Sequence, residues 1–323
     1  MLEGKIKGVN RDIPMSRIVL GTGRYGSRLD KDTSFRIMDR YYECGGRSLD
    51  TARAYMAWVH NGASKSEKTV GDWLKSRGVA KEMTVVTKCA HPELRDVSRS
   101  RLSLDCLEYD INTSLAVLDL DHVQVLLPHR DDERVPVGEI MDAFDDIVKD
   151  GLVEAIGASN WSARRVAEAN EYARKNRRTP FTIAQTQWNM AQNKKEDMLD
   201  QSLNCMTDEE YPKYLGIGLP VMAYSSQAVG FFSKYIDGKE ETMAPRARAY
   251  YTEENVRRAK RAKTVCERLG CSPSALCIAY ITCNPLDGYA LIASSSMEQM
   301  EDSMTACDLV VDWETLDWIA SRD

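Results

Sequence analysis

The chain has 323 residues, of which 43% are hydrophobic and 28% charged, with only 19 Gly and 10 Pro, a composition that excludes a fibrous or disordered protein. The 43 Lys and Arg against 49 Asp and Glu leave a net charge of −6, so no global positive field exists to hold a nucleic acid or an anionic bilayer. No run of about 18 apolar residues is present to span a membrane.

Short apolar, β-branched segments recur along the chain and are predicted as strands: RIVLGTG (17–23), RSLDTA (47–52), TVVTK (84–88), HVQVLLPH (122–129), VEAIGASN (153–160), TIAQTQW (182–188), LPVMAYSS (219–226) and YALIASS (289–295). Helical patterns lie between them. Ser64 and Glu67 have capping-box spacing ahead of Val70, Trp73 and Leu74. Pro136 suits a first helical position before Val137, Ile140, Met141, Phe144, Ile147 and Val148, with Gly151 as the stop. Ser162 is expected to cap a helix through Val166, Ala169 and Ala173, and 254–270 and the stretch from Pro273 read as further helix.

Eight strands alternating with helices, with no linker or composition break, predict one α/β domain over residues 1–323, a single (β/α)8 TIM barrel with long mouth loops. The competing architecture is a doubly wound fold announced by Gly21-Thr22-Gly23-Arg24-Tyr25-Gly26, which matches a dinucleotide fingerprint in spacing. That reading lacks an acidic residue about 20 positions on and an immediate apolar helix, so turn glycines after a barrel strand are the better account.

Nine Cys (Cys44, Cys89, Cys106, Cys205, Cys266, Cys271, Cys277, Cys283 and Cys307) contain no C-x-x-C pair, so reduced thiols are expected. Together with MLEGKIKGVNRDIPM, which lacks the apolar run of a signal peptide, they point to a cytoplasmic protein. Cys89 and His91 alone do not make a metal site, and no metal is expected.

In such a barrel the functional groups project from the C-terminal ends of the strands. Those ends carry Asp50 and Tyr55, Lys88, His129, Ser159 and Asn160, Gln185, Tyr224, and Ser294 with Ser295. A Tyr, a Lys, an Asp and a His in one cleft suit proton delivery to a carbonyl oxygen while a hydride arrives at carbon. On this reading Lys88 lowers the pKa of the Tyr55 phenol and Asp50 holds Lys88 charged. The hydride requires a cofactor, since no side chain supplies one.

The run RSLDTARAY…SEKTVGDWLK, followed in order by VVTK, LDLDHVQVLLPHR, GLVEAIGASNW, AQTQWNM, VMAYSS and SSSMEQMED, resembles the aldo-keto reductase superfamily over essentially the whole chain. The resemblance implies an oxidoreductase that interconverts a carbonyl (aldehyde, ketone or sugar) and an alcohol with NADP(H) or NAD(H). Tyr55 would be its general acid/base, Asp50 and Lys88 the partners that tune it, and His129 the residue that orients the substrate. The coenzyme would meet Gly21, Thr22, Ser159, Asn160 and Gln185, the ring of Tyr224, Ser225 and Gln227 at the pyrophosphate, and Ser294, Ser295, Gln299 and Asp302 at the adenosine end. Tyr25, Trp58 and Arg130 would face a small-molecule substrate.

Other functions stay open beside this one: a nicotinamide-binding regulatory subunit on the same barrel, and a Schiff-base aldolase using Lys88. Glu298, Glu301 and Asp302 surround the expected adenosine site where NADP-preferring members carry a cation, so NAD(H) is expected to be accepted at least comparably. The segment MAWVHNGASKSEK is longer than the usual turn, and Trp58 and His60 could reach over the mouth. Arg130 is open to two readings, a substrate carboxylate or sugar hydroxyls on one side and an ion pair with Asp131 or Asp132 on the other. Residues 226–253 are expected to form a long loop over the pyrophosphate, and the short C-terminal segment implies an open pocket.

Overall fold

The computed structural model describes residues 1–93, 96, 99–198 and 200–321. Two short strands, β1 (Glu3–Lys7) and β2 (Asp12–Ser16), pair antiparallel with Ile6 opposite Ile13. Eight parallel strands follow: β3 (Ile18–Gly21), β4 (Ser48–Asp50), β5 (Thr84–Cys89), β6 (Val123–Pro128), β7 (Val153–Ser159), β8 (Phe181–Gln187), β9 (Val221–Tyr224) and β10 (Gly288–Ile292). They close into a barrel in the order β10-β3-β4-β5-β6-β7-β8-β9, each overlapping one of the eight segments read from the sequence.

Helices α1 (Lys31–Glu43), α2 (Lys65–Arg77), α3 (Leu104–Leu118), α4 (Val137–Lys149), α5 (Ala163–Asn176) and α6 (Glu210–Ile217) link successive strands from β3 to β9. Between β9 and β10 lie α7 (Phe231–Ile236), α8 (Pro245–Arg248), α9 (Glu253–Leu269) and α10 (Pro273–Thr282), and α11 (Met297–Met304) and α12 (Trp313–Ala320) end the chain. This is a (β/α)8 barrel.

The barrel strands are apolar on both faces because both faces are covered. Val19, Val86, Val125, Leu127, Ala155, Ile183, Met222 and Leu291 fill the barrel, and Ile6, Ile13 and Met15 of the hairpin join the same cluster. The hairpin therefore plugs the N-terminal end and leaves the opposite mouth for chemistry. It lies outside the eight predicted segments because its Lys5-Ile6-Lys7 alternation is short and Pro14 interrupts the second strand. Leu20, Leu49, Val85, Leu126 and Ile156 face outward onto a second core shared with Ile37, Trp73, Leu107, Phe144 and Val166 of the helices.

Ser162 caps α5, accepting from the Arg165 amide at 3.3 Å. Helix α4 begins at Val137, one residue after Pro136, and Gly151 at φ +75° follows its end. The capping box at Ser64 does not form. Ser64 takes a left-handed φ of +58° with no capping hydrogen bond, and Glu67 instead turns inward, fully buried, to accept from Thr87 Oγ1 at 2.6 Å. Residues 226–253 are likewise not a plain loop. They carry α7 and α8, with Phe231 and Phe232 buried and the rings of Tyr235, Tyr250 and Tyr251 packed on Phe231 at 6.1–6.3 Å between centroids.

Candidate active site

The short strand β4 ends on Asp50, and the turn after it brings Tyr55 back over the barrel mouth. On β5, Val86 and Lys88 point inward and Thr87 outward, as strand alternation requires. Lys88 Nζ then reaches Asp50 Oδ1 and Oδ2 at 2.6 and 2.7 Å, the Thr51 carbonyl at 3.0 Å and the Tyr55 hydroxyl at 2.7 Å. Three ammonium protons serve these four acceptors, with one shared across the carboxylate. The Tyr55 hydroxyl in turn donates to Asp50 Oδ2 at 2.8 Å. Asp50, Tyr55 and Lys88 are thus one connected group, with the Lys88–Asp50 ion pair buried and Tyr55 half-buried.

His129 follows β6, buried, with its ring 5.6 Å from that of Tyr55 and 4.8 Å from that of His91. Its Nδ1 is buried without a hydrogen-bond partner. Asn160, at φ +62° after β7, donates to the His129 carbonyl at 3.1 Å and to Ser159 Oγ at 3.1 Å, and accepts from the Tyr224 hydroxyl at 2.8 Å. Ser159, Asn160, Tyr224 and His129 therefore form one tied rim across β6, β7 and β9.

Burial pushes the Tyr55 phenol well above its ordinary pKa, and the neighbouring Asp50 carboxylate pushes it in the same direction. The sequence expectation is a phenol lowered by Lys88; burial and Asp50 work against that direction while the ammonium sits 2.7 Å from the hydroxyl. Burial pulls the Lys88 pKa down against the opposing pull of Asp50. Burial, and then the Arg130, His91 and Lys88 charges, hold His129 well below its usual value, so its imidazole is neutral at physiological pH.

The other predicted residues differ in their burial and partners. Tyr25 is 1% exposed and belongs to the core outside the barrel. Thr22 is buried with its hydroxyl on the Asp50 carbonyl and Ser66. A Cβ on Gly21 would meet Leu291 Cδ2 at 2.7 Å and the Ile292 carbonyl at 3.0 Å, so the residue sits in tight barrel packing. The Gln185 amide donates to Asp50 Oδ1 at 2.7 Å, and the Gln227 amide to Ser274 and Ser303, rather than both facing outward. Ser294 is buried against Met300, and Gln299 accepts from the Ser295 amide at 2.8 Å, while Asp302 is half-buried. Trp58 is 56% exposed. Arg130 pairs with Asp200 instead of Asp131 or Asp132, which pair with Arg165 and Arg134.

Sequence reasoning missed a second layer behind the site. Asp110 of α3 accepts from the Ala90 amide at 2.8 Å and from Arg101 at 2.6 Å, and lies 2.9 Å from Arg53 Nε, tying the segment between Asp50 and Tyr55 to the end of β5. A signal for it exists: Asp110 falls on the buried stripe of Leu107, Ile111, Ser114 and Leu118, where a carboxylate needs partners.

The Aldo/keto reductase family model matches residues 17–321. The chain belongs to the aldo/keto reductase family. It is 28% identical over 308 residues to the uncharacterized oxidoreductase YrpG of Bacillus subtilis, covering 94% of this chain and 90% of that protein. It is also 28% identical over 309 residues to norsolorinic acid reductase stcV of Emericella nidulans, with 91% and 74% covered. An NADP(+) aryl-alcohol dehydrogenase of Phanerodontia chrysosporium is 30% identical over 171 residues, half of this chain and 43% of its own. This aldo/keto reductase is accordingly an NAD(P)-dependent oxidoreductase acting on a carbonyl–alcohol pair, and these relatives lend no support to a regulatory subunit.

Polar groups that a coenzyme's carboxamide could meet are present at the mouth in Ser159, Asn160 and Tyr224. Beyond Tyr224 the backbone takes positive φ at Ser225, Ala228, Val229 and Gly230, four left-handed residues within six positions. Three of them are consecutive, and the Ala228 and Gly230 N–H groups donate to the Ser225 and Gln227 carbonyls at 2.9 Å, which fixes the turn.

Proposed function

We propose that Tyr55 passes the proton in carbonyl reduction and takes it back in alcohol oxidation. The observation that carries this is the Tyr55 hydroxyl held at 2.7 Å from Lys88 Nζ, between an ammonium and a carboxylate. As the carbonyl oxygen gains charge it takes the phenol proton, and the Lys88 ammonium stabilises the phenolate left behind. Asp50 keeps Lys88 in place, with Gln185 and Thr51 orienting the pair. Neutral His129 keeps one ring N–H for the substrate oxygen.

The coenzyme supplies the hydride. Ser159, Asn160 and Tyr224 would hold its nicotinamide, Ser225 and the left-handed turn its pyrophosphate, and Ser295, Gln299 and Asp302 its adenosine end. Either NADP(H) or NAD(H) serves, the NADP(+) dependence in one relative's name favouring the former. Trp58 stands over the substrate. The whole chain acts as one barrel domain in the cytoplasm, a setting that suits nine free thiols, and takes small molecules rather than nucleic acid.

The names of the relatives make aromatic aldehydes and ketones the first substrates to try. Following reduced-nicotinamide absorbance with benzaldehyde and its alcohol, with each coenzyme, tests the proposal. Turnover in both directions supports it, and no turnover of any carbonyl with either coenzyme overturns it.

A further inference from the structure

Arg130 follows His129 directly at the end of β6, and its side chain is only 12% exposed. It is held by the His129 carbonyl at 2.9 Å and by Ser202 Oγ at 3.2 Å. A planar guanidinium so fixed presents a rigid fork that suits a carboxylate. The carboxylate it has is poor: Asp200 approaches only one nitrogen, at 3.4 Å, and its side chain is 51% exposed.

The neighbouring charges are better matched. Asp131 meets the buried Arg165 at 3.2 Å, Asp132 meets Arg134 at 2.7 Å, and Asp110 meets Arg101 at 2.6 Å. Beside Arg130 lies a cavity of about 140 Å³ lined by Ala90, Arg99, Arg101, Asp131 and Ser202. That volume equals about five waters, enough for a carboxylate and a short linker. The cavity adjoins the chemistry through Arg130 and through Ala90, two residues beyond Lys88. Arg130 donates to the carbonyl of His129, whose ring lies 5.6 Å from that of Tyr55, so it stands at the same mouth.

We propose that Arg130 recognises an acid group on the substrate, so that the preferred substrates are carbonyl compounds carrying a carboxylate, which takes the place of Asp200 on the guanidinium. The proposal rests on the carbonyl-reductase reading above. Asp200 is an internal competitor on this view, half-exposed and loosely paired, and it leaves the guanidinium when the substrate arrives.

The test compares 4-carboxybenzaldehyde with 4-methylbenzaldehyde. The wild-type kcat/KM should favour the acid by about tenfold to a hundredfold, the worth of one charge-assisted hydrogen bond, mainly through KM. Arg130→Gln should lower that acid-to-neutral ratio by a similar factor, whereas Asp200→Asn should raise it severalfold. The opposite sign in the second variant separates recognition from general damage. Should Arg130→Gln fail to fold, competitive inhibition of the wild type by benzoate but not benzamide carries the same information. A wild-type ratio near one, a ratio unmoved by Asp200→Asn, or equal inhibition by benzoate and benzamide overturns the proposal while leaving the reductase reading intact. Turnover of neither aldehyde with either coenzyme overturns both.

Discussion

The Tyr55 hydroxyl donates to Asp50 Oδ2 at 2.8 Å, so the proton assigned to the substrate rests on a carboxylate. A carbonyl oxygen entering the site must compete for that hydrogen bond. The Lys88 ammonium makes the competition feasible, because it already contacts both Asp50 oxygens and the phenol oxygen.

Replacing Tyr55 by Phe removes the proton donor and keeps the ring. Coenzyme affinity, read by quenching of intrinsic fluorescence, should change little. Turnover should fall by about 10²–10⁴-fold, the usual contribution of a positioned general acid. Activity within a few-fold of wild type would remove Tyr55 from its role.

The raised Tyr55 pKa gives the two reaction directions different pH dependence. Reduction needs the phenol, which persists through neutral pH and is lost only as pH rises through the raised value. Oxidation needs the phenolate, so its kcat/KM should climb by about tenfold per pH unit across the range where reduction stays flat. Parallel measurement of both directions checks the sign, and a reduction rate already falling near neutral pH contradicts it. No inflection near pH 6.5 should come from His129, which is held neutral.

Lys88 and Asp50 form an ion pair with side chains 1% and 0% exposed. Removing one partner leaves the other buried and uncompensated, at a cost of about 3–5 kcal/mol. Asp50→Asn and Lys88→Met should each lower the urea midpoint strongly, and the double variant should lose less than the sum of the two. Additive losses would show that the pair is not coupled.

The barrel was legible because short apolar runs alternate with helical stretches, and the residues proposed to react were legible because they lie at or just beyond the ends of those runs. What each side chain touches was not. Gln185 and Asp50 are 135 positions apart, and only closure of the barrel brings the amide to the carboxylate. Ser64-x-x-Glu67 admits both a cap and a buried carboxylate, and the choice rests on Thr87 of a different element. Arg130 meets Asp200 from a connection 70 residues on, so the adjacent Asp131 and Asp132 were misleading partners. Tyr25 follows a strand end yet is buried in the core outside the barrel.

The acidic residues near the expected adenosine site count for less than their number. Glu301 is paired with Arg40 at 2.7 and 2.9 Å, and Arg24 lies 3.3 Å from Ser295 as a cation within reach. NADPH and NADH should therefore bind within about tenfold of each other. Arg40→Gln frees the Glu301 charge and should shift the ratio of dissociation constants toward NADH, by severalfold at most, since exposed charges are screened. A wild-type preference of a thousandfold for either coenzyme contradicts this account.

Two of the four histidines, His91 and His129, have pKa values lowered chiefly by burial. The unfolded chain binds protons at both near pH 6.5 while the folded chain does not, so acid favours unfolding. The contribution is present above about 6.5 and is lost as pH falls through it, chiefly at His129, which is held well below its usual value. Asp131 works the other way: burial raises it to about 6, so below that pH the folded state takes up a proton that the unfolded chain does not bind until nearer 3.8. The loss should therefore set in below about pH 7 and continue below about 6, with Asp131 offsetting part of it there. Urea midpoints across this range, compared with those of His91→Gln, should show the slope reduced in the variant. An identical slope in both proteins would exclude His91 as a source of the acid sensitivity.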